Sequence, residues 1–459
     1  MKVSRWNLVI KKEDHLILFN KLTNAILHVE PPKVEKVLSI LNSKAIPDSE
    51  DEDIKMLKRG GYIIEDDFDE IDYLRVRFNM YKFNNRFLRF TIALTPLCNF
   101  SCTYCYQNQV FPIMRRNMPP SFHEDMIDNL LKAIEKMMMY QKPQLLSITF
   151  YGGEPLLELD TMIKLSDAFK KMCETHGAEY RPFMVTNGYT LTPDVADRLI
   201  NAGMKSAIVT LDGDAEYHDK YRKLKNGEVT FSRIFENIKN IWNKMHIQIR
   251  TNVCKDNVES VKRMIKLFAD EDIHVSFDFQ MIEVSSELPS KFDGTPLTLK
   301  EFARTEVELY REVLKHFPDY DFNPFRRIRF ARCDVLCSTS FVVEPDGKLY
   351  KCWGEVGIST AHVGHIKKGG NIEFNHRLER WLAWSPFESE RCRGCDILPL
   401  CMGGCVFNAI LVDKLHVFPV AKPYSCLPLK YNLKEMVELV AENKLRKAQK
   451  RRQCSEIKS

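Results

Sequence analysis

No cysteine stands before Cys98, although the chain of 459 residues holds 14 of them. That gap excludes a disulfide scaffold spread along the chain, and eight cysteines crowd between Cys333 and Cys426. No apolar run approaches the roughly 20 residues needed to cross a bilayer. The opening Met1-Lys2-Val3-Ser4-Arg5-Trp6 lacks the apolar core of a secretory signal, so a cytoplasmic location is expected. Neither sign of charge is in large excess: 67 Lys and Arg against 62 Asp and Glu give +5, no electrostatic case for a nucleic-acid partner. A 44% hydrophobic and 28% charged composition is that of a globular protein, here long enough for about two or three domains. In an intracellular chain, so many cysteines point to metal.

The chain is organised around Cys98-Asn99-Phe100-Ser101-Cys102-Thr103-Tyr104-Cys105. Its cysteines lie at C-x3-C-x2-C spacing, just after the apolar run Phe90-Thr91-Ile92-Ala93-Leu94, which reads as a buried strand ended by Pro96. Three thiolates on one tight loop can hold three irons of a [4Fe–4S] cube and leave the fourth without a protein ligand. An open iron is the arrangement that chelates S-adenosylmethionine, whose reductive cleavage yields a 5′-deoxyadenosyl radical. A zinc knuckle is the bland alternative, and without a nearby fourth Cys or His it fits poorly.

Residues 1–85 read as a separate unit. Leu8-Val9-Ile10 and Leu16-Ile17-Leu18-Phe19 form a hairpin, and Ala25-Ile26-Leu27-His28-Val29 a third strand. Pro31-Pro32 opens a helix with Val34, Val37, Leu38 and Leu41 on one face; a second helix ends at Gly60-Gly61, and Tyr62-Ile63-Ile64 returns as a strand. A nonspecific cap on the next domain is the alternative reading. The acidic runs Asp48–Asp53 and Glu65–Glu70 argue against a duplex partner.

Over 86–325 strands alternate with helices, the pattern of parallel α/β units. Candidate strands are Phe90–Leu94, Leu146–Phe150, Pro182–Val185, Ser206–Leu211, His246–Asn252 and His274–Phe279. Six such units fit a partial (β/α)6 barrel, whose ligands gather at the C-terminal strand ends. There stand Gly152-Gly153-Glu154-Pro155, Thr186-Asn187-Gly188 and Thr210-Leu211-Asp212-Gly213, with Arg250 and Asn252 on the fifth strand. The paired glycines let backbone approach a ligand closely. For the later polar residues, helix caps and satisfied interior groups are the alternative.

Over 326–430 cysteines dominate: Cys337, Gly347 and Cys352 as C-x9-G-x4-C, then Cys392, Cys395, Cys401 and Cys405 as C-x2-C-x5-C-x3-C, then Cys426, with Cys333 four residues ahead of the set. Asp346-Gly347 reads as a hairpin turn. A pair of zinc sites is the alternative for these cysteines. Cys173, Cys254 and Cys454 match no motif, and the first two read as buried. Residues 431–459 read as a helix with a solvated basic end, Lys444-Leu445-Arg446-Lys447 and Lys450-Arg451-Arg452.

The Cys98–Cys105 loop, with Tyr104 before its last cysteine and Gly152–Pro155 one βα unit later, resembles the radical S-adenosylmethionine enzymes. The C-terminal spacing resembles the SPASM domain, and residues 1–85 resemble the winged-helix-like domains that recognise the leaders of ribosomally made peptides. The resemblance implies an α/β fold in which a partial (β/α)6 TIM barrel lies between those two domains. It implies that Cys98, Cys102 and Cys105 hold the cofactor-binding cluster. Tyr104, Gly152, Gly153, Glu154, Pro155, Thr186, Asn187, Thr210 and Arg250 would then contact S-adenosylmethionine, with Gly152–Pro155 at its amino group. It implies two auxiliary [4Fe–4S] clusters, one on Cys333, Cys337, Cys352 and Cys405, the other on Cys392, Cys395, Cys401 and Cys426.

Enzymes of that order mature precursor peptides, often by a thioether from a cysteine sulfur to a carbon. A leader would lie in a groove walled by Val9, Ile10, Leu16, Leu18 and the Val34–Leu41 helix, and a flavodoxin or ferredoxin would supply electrons; no membrane or nucleic acid is involved. C–C or C–O crosslinking and epimerisation are alternatives. A sulfatase-maturing enzyme is another, but those usually carry Asp where Trp353 follows Cys352. Asp212 and Glu355 are the candidate bases. A noncatalytic iron–sulfur carrier or peptide-binding partner is the alternative of a different class, and it needs neither the open-iron loop nor Gly152–Pro155.

Overall fold

The computed structural model describes residues 1–105, 107, 119–282, 291–325, 330, 332–411 and 426–456, with the side chain of Cys454 outside that description. After a two-residue β1 (Lys2–Val3), strands β2 (Asn7–Lys11), β3 (Leu16–Asn20) and β4 (Ile26–Val29) form an antiparallel meander. Helices Pro31–Asn42 and Glu52–Gly60 follow, and β5 (Ile63–Ile64) returns to pair with β1. Gly61, at φ +74°, ends the second helix in the left-handed conformation that glycine adopts freely.

The meander is buried on both faces. Leu16, Leu18 and Val29 pack on Val37, Ile54 and Leu57 of its own helices. Ile10, Ile17 and Phe19 pack the other way, against Phe325, Ile397, Met436, Val437 and Val440. The expected groove walls are therefore corrected: Leu16 and Leu18 are 0% exposed and Ile10 is 1%, leaving only Val9, at 38%, on an open surface. A third helix, Glu70–Lys82, follows the two that the sequence locates; Asp69 caps it, accepting from the Ile71 and Asp72 N–H groups.

Strands β6 (Phe87–Ala93), β7 (Leu145–Tyr151), β8 (Glu179–Thr186), β9 (Ser206–Thr210), β10 (His246–Val253) and β11 (Ser276–Met281) run parallel in sequence order, as the alternation predicts. Leu146, Ile148 and Phe150 turn outward into the core, while Ser147, Thr149 and Tyr151 face the barrel interior. The sheet then grows beyond what the sequence pattern indicates. Strand β12 (Ser340–Val343) pairs parallel with β6, and β13 (Lys348–Tyr350), β14 (Gly364–Ile366) and β15 (Ile372–Phe374) extend it antiparallel to ten strands. The hairpin at Asp346-Gly347 is as expected, with Gly347 at φ +83°.

The closing helix Leu429–Glu456 leaves Lys444, Arg446 and Lys450 exposed, the solvated basic end expected, while the side chains of Arg451 and Arg452 lie outside the described residues. Its Met436, Val437 and Val440 are buried against the meander, Arg446 donates to the Leu314 carbonyl at 3.4 Å, and Lys447 donates to the Tyr320 carbonyl at 2.9 Å. Among the described residues no helix is long and apolar enough to cross a membrane. Cys173 and Cys254 are buried, as their surroundings in the sequence indicate.

Candidate active site

Strand β6 delivers the chain into the Cys98–Cys105 loop, which is held as a short ladder against residues 221–225. Ser101 N donates to Lys223 O at 2.9 Å, Thr103 N to Tyr221 O at 3.1 Å, and Lys225 N to Asn99 O at 3.0 Å. Phe100 N donates to Cys98 Sγ at 3.4 Å. Burial pushes the Cys98 thiol up to about 11 and the Cys102 thiol up to about 12. Such thiols stay protonated near neutrality and lose their protons to a metal only as they bind it.

Gly152 and Gly153 bring β7 against this loop. Gly153 N donates to Thr95 O at 2.7 Å and Glu154 N to Leu97 O at 2.8 Å. A Cβ at Gly152 would stand 2.4 Å from Thr95 O, and one at Gly153 2.2 Å from Leu97 O. The close approach that demands glycine is thus to the cysteine loop's own backbone, where the sequence reading expected a ligand. Glu154 is buried and knits two strand ends: its carboxylate accepts from Thr186 Oγ1 at 2.6 Å, Asn187 N at 2.7 Å and Leu156 N at 3.0 Å. Pro155 is buried at the start of the turn that follows. Asn187 Nδ2 completes the circuit, donating to Asn99 Oδ1 at 2.8 Å.

Beside the loop lies a charge network that sequence reasoning missed. Arg222 Nη1 donates to the Tyr104 hydroxyl at 2.7 Å, and Tyr104 donates to Asp212. Asp212 also accepts from Asn252 N at 2.9 Å and Asn252 Nδ2 at 3.0 Å, and its second oxygen lies 3.8 Å from Arg222 Nε. His218 is fully buried; its Nδ1 accepts from Asp212 N at 3.3 Å, and burial holds it neutral by lowering its pKa well below the usual range. The available signal was the spacing of His218 and Arg222, one helical turn apart after Asp212.

Both candidate bases are buried and hydrogen-bonded. Asp212 is 0% exposed and its carboxylate is engaged by three residues, Tyr104, Asn252 and Arg222. Glu355 is buried, accepting from Cys352 N at 3.4 Å, and burial pushes its carboxyl up to about 8. Arg250 is likewise engaged, with Nε and Nη2 at 2.9 and 2.8 Å from Asp278 Oδ2. Thr210 is buried at the end of β9.

The other cysteines gather in two groups. Cys333, Cys352 and Cys405 sense one another electrostatically, while Cys337 is buried with Arg89 Nη1 3.8 Å from its sulfur. Cys392, Cys395, Cys401 and Cys426 form the second group: burial first, then the neighbouring thiols, push Cys401 up to about 12. Among the described residues no three His, Cys, Asp or Glu side chains converge as a ready metal-holding group. In donor chemistry the all-thiol sets fit iron–sulfur clusters.

Residues 92–268 match the sequence profile of the radical SAM superfamily, a span from the end of β6 through the cysteine loop and Gly152–Pro155 to the helix Val258–Asp270. Residues 92–268 of this chain are a radical SAM domain. A cysteine-type anaerobic sulfatase-maturating enzyme of Clostridium novyi is 27% identical over 329 residues, covering 68% of this chain and 85% of its own. A radical SAM cyclopropyl synthase of Paramaledivibacter caminithermalis is 22% identical over 439 residues, covering 88% and 89%. Among solved structures, native anSMEcpe with bound AdoMet and Cp18Cys peptide has a TM-score of 0.59 at 21% identity, over 78% of this chain and 98% of that one, a likeness of fold.

This radical SAM protein is therefore an enzyme, and the carrier alternative falls. The radical SAM domain implies S-adenosylmethionine and a [4Fe–4S] cluster, which when bound would supply a 5′-deoxyadenosyl radical. What the chain itself supplies is a thiol loop fixed on two sides, by residues 221–225 and by β7, with the Arg222 guanidinium beside it offsetting negative charge.

Proposed function

We propose that this radical SAM enzyme matures a ribosomally made peptide, joining a cysteine sulfur to a carbon of another residue. Residues 1–85 bind the peptide's leader, 86–325 form the catalytic barrel, 326–430 carry two auxiliary clusters on the cysteine sets named above, and 431–459 form the closing helix. Cys98, Cys102 and Cys105 hold the cofactor-binding cluster, with Tyr104, Gly152, Gly153, Glu154, Pro155, Thr186, Asn187, Thr210 and Arg250 around S-adenosylmethionine. Electrons come from a flavodoxin or ferredoxin.

The observation that carries this reading is the meander: β2 and β4 each pair on one side only, so each has an edge for an extended leader to join. The relative that covers 88% of this chain supports a role for nearly its whole length, whereas the sulfatase-maturating enzyme of Clostridium novyi covers 68%. Sulfatase maturation is the second reading, favoured by that enzyme's 27% identity and opposed by Trp353 at the position after Cys352.

The test is anaerobic co-production with peptides encoded beside the gene. A product lighter by two hydrogens for each bond, with one thiol consumed each time, supports the thioether. Unchanged precursor peptides, together with turnover of a sulfatase-derived peptide, sink it in favour of the second reading.

A further inference from the structure

The helix Glu70–Lys82 carries an apolar stripe on its outer side. Val76, Met80 and Phe83 recur at helical spacing and are 56%, 59% and 56% exposed. Leu74 and Phe78 on the opposite side are fully buried, so the stripe is presented on a firmly seated element. Arg75 and Arg77 flank it, and Arg86 stands exposed just beyond. The Lys82 ammonium lies 5.4 Å from the Phe83 ring centre and donates to the Trp384 carbonyl at 2.7 Å. Of the first-turn acids, Glu70 is buried and Asp72 lies 3.8 Å from Arg75, an exposed pair that leaves Arg77 and Arg86 as the rim's unneutralised charges.

That same helix ends on Cys337. The Cys337 thiol lies 3.9 Å from the Tyr81 carbonyl, Ser338 N donates to Lys82 O at 2.8 Å, and the Tyr81 hydroxyl donates to Asp334 at 2.8 Å. Exposed apolar side chains at one end of a short path thus meet a buried cysteine at the other.

We propose that the Val76–Met80–Phe83 stripe is the docking face for an acidic one-electron carrier protein, which delivers its electron to the iron–sulfur centre at Cys337. This rests on the reading of Cys337 as a cluster ligand. Aromatic residues, Met and Arg are the types enriched at the cores of protein contacts. A small contact suits a donor that must leave after each transfer. The arginine rim draws an acidic partner and speeds encounter. A second copy of this chain is a poorer occupant, since three apolar side chains fall far short of the area a stable dimer needs and the arginines would meet their own kind.

The experiment measures binding of flavodoxin by the full-length enzyme, which Met80→Glu with Phe83→Glu is expected to weaken about tenfold, and S-adenosylmethionine cleavage by the anaerobically reconstituted enzyme, driven either by reduced flavodoxin or by dithionite, which needs no docking face. Met80→Glu with Phe83→Glu is expected to slow the flavodoxin-driven rate about tenfold and leave the dithionite-driven rate unchanged. Arg75→Glu with Arg77→Glu is expected to slow it too and to flatten its dependence on ionic strength. Flavodoxin-driven rates equal to wild type in both variants overturn the proposal. So does equal loss with both donors, and so does loss of peptide binding with flavodoxin-driven cleavage intact, which makes the stripe a peptide surface. An iron content and cluster spectrum unchanged by Cys337→Ala refute the cluster reading itself, a result distinct from failure of the docking face.

Discussion

The Trp353 indole stacks on the Tyr151 ring, with centroids 4.5 Å apart and planes 35° apart, and donates from Nε1 to Thr91 Oγ1 at 3.0 Å. Trp353 follows Cys352 and Tyr151 precedes Gly152, so one aromatic contact ties the C-terminal cysteine region to the strand end at the cofactor-binding loop.

Trp353→Ala removes the stacking and the indole's packing and is expected to cost about 3 kcal/mol of stability. Trp353→Phe keeps the stacking and loses a hydrogen bond worth about 1 kcal/mol. If the indole also lines the reaction space, Trp353→Ala yields less modified peptide per S-adenosylmethionine cleaved, and Trp353→Phe restores the ratio. Melting temperature and the ratio of 5′-deoxyadenosine to product separate the two effects. An unchanged ratio in both variants leaves Trp353 as packing alone.

Metal content tests the cysteine assignments directly. Three clusters require about 12 irons and as many sulfides per chain. Replacing Cys98, Cys102 and Cys105 together by Ala should remove about a third of the iron and all cofactor cleavage. Cys333→Ala should alter the spectrum of one auxiliary cluster and spare cleavage. Mostly zinc, or about four irons in all, rejects the auxiliary pair.

Arg222 and Asp212 form a buried pair, and removing one partner strands the other's charge. Arg222→Met is expected to destabilise by about 3–5 kcal/mol, and Arg222→Met with Asp212→Leu by less than the sum of the two single changes. Chemical denaturation of all three variants checks it. Strict additivity would show that the pair is not coupled.

Glu306, on the helix Leu299–His316, gives a pH test. Burial pushes its carboxyl up to about 7, against a hydrogen bond from Asn432 and with help from Asp278. An unfolded Glu titrates near 4.3, so between about 4.3 and the folded value the native state holds a proton that the unfolded chain has lost. The resulting stability is fully present at low pH and fades as pH rises through 7. Glu306→Gln is locked neutral. It should match wild type at pH of about 4 and exceed it at about 8, by roughly 1–3 kcal/mol. Equal stability at both pH values contradicts the shifted carboxyl.

The parts of the molecule that were legible in the sequence are those encoded locally. Each barrel strand is a short apolar run bounded by a helix, and the cysteine motifs depend on spacing alone. The bounds of helix Glu70–Lys82 escaped because Val76, Met80 and Phe83 point outward and blur the apolar period. The burial of Ile10 and Phe19 escaped because their partners, Met436 and Val437, lie hundreds of residues away. Arg222 escaped for a related reason: its partners, Tyr104 and Asp212, come from separate strand ends that meet only in the folded barrel. Glu154 and Arg250 were visible as polar residues at strand ends, but their engagement with Thr186 and with Asp278 depends on which strands are neighbours.

The pairing of β12 with β6, Ser340 opposite Arg89 and Val343 opposite Ile92, makes a ruler of the backbone. One strand runs into the loop of Cys98; the other follows Cys337 and leads through its hairpin to Cys352. The offset between the two cysteine regions is inherited from a hydrogen-bond ladder, so substitutions at single side chains hardly reset it. A slip of one residue would slide one region past the other by about 3.3 Å and turn β12's inward side chains outward. Exchanging C-terminal regions between relatives therefore means exchanging a strand in register: a graft cut after β12 keeps the ruler, and one cut before it has to rebuild the ruler from the donor's sequence.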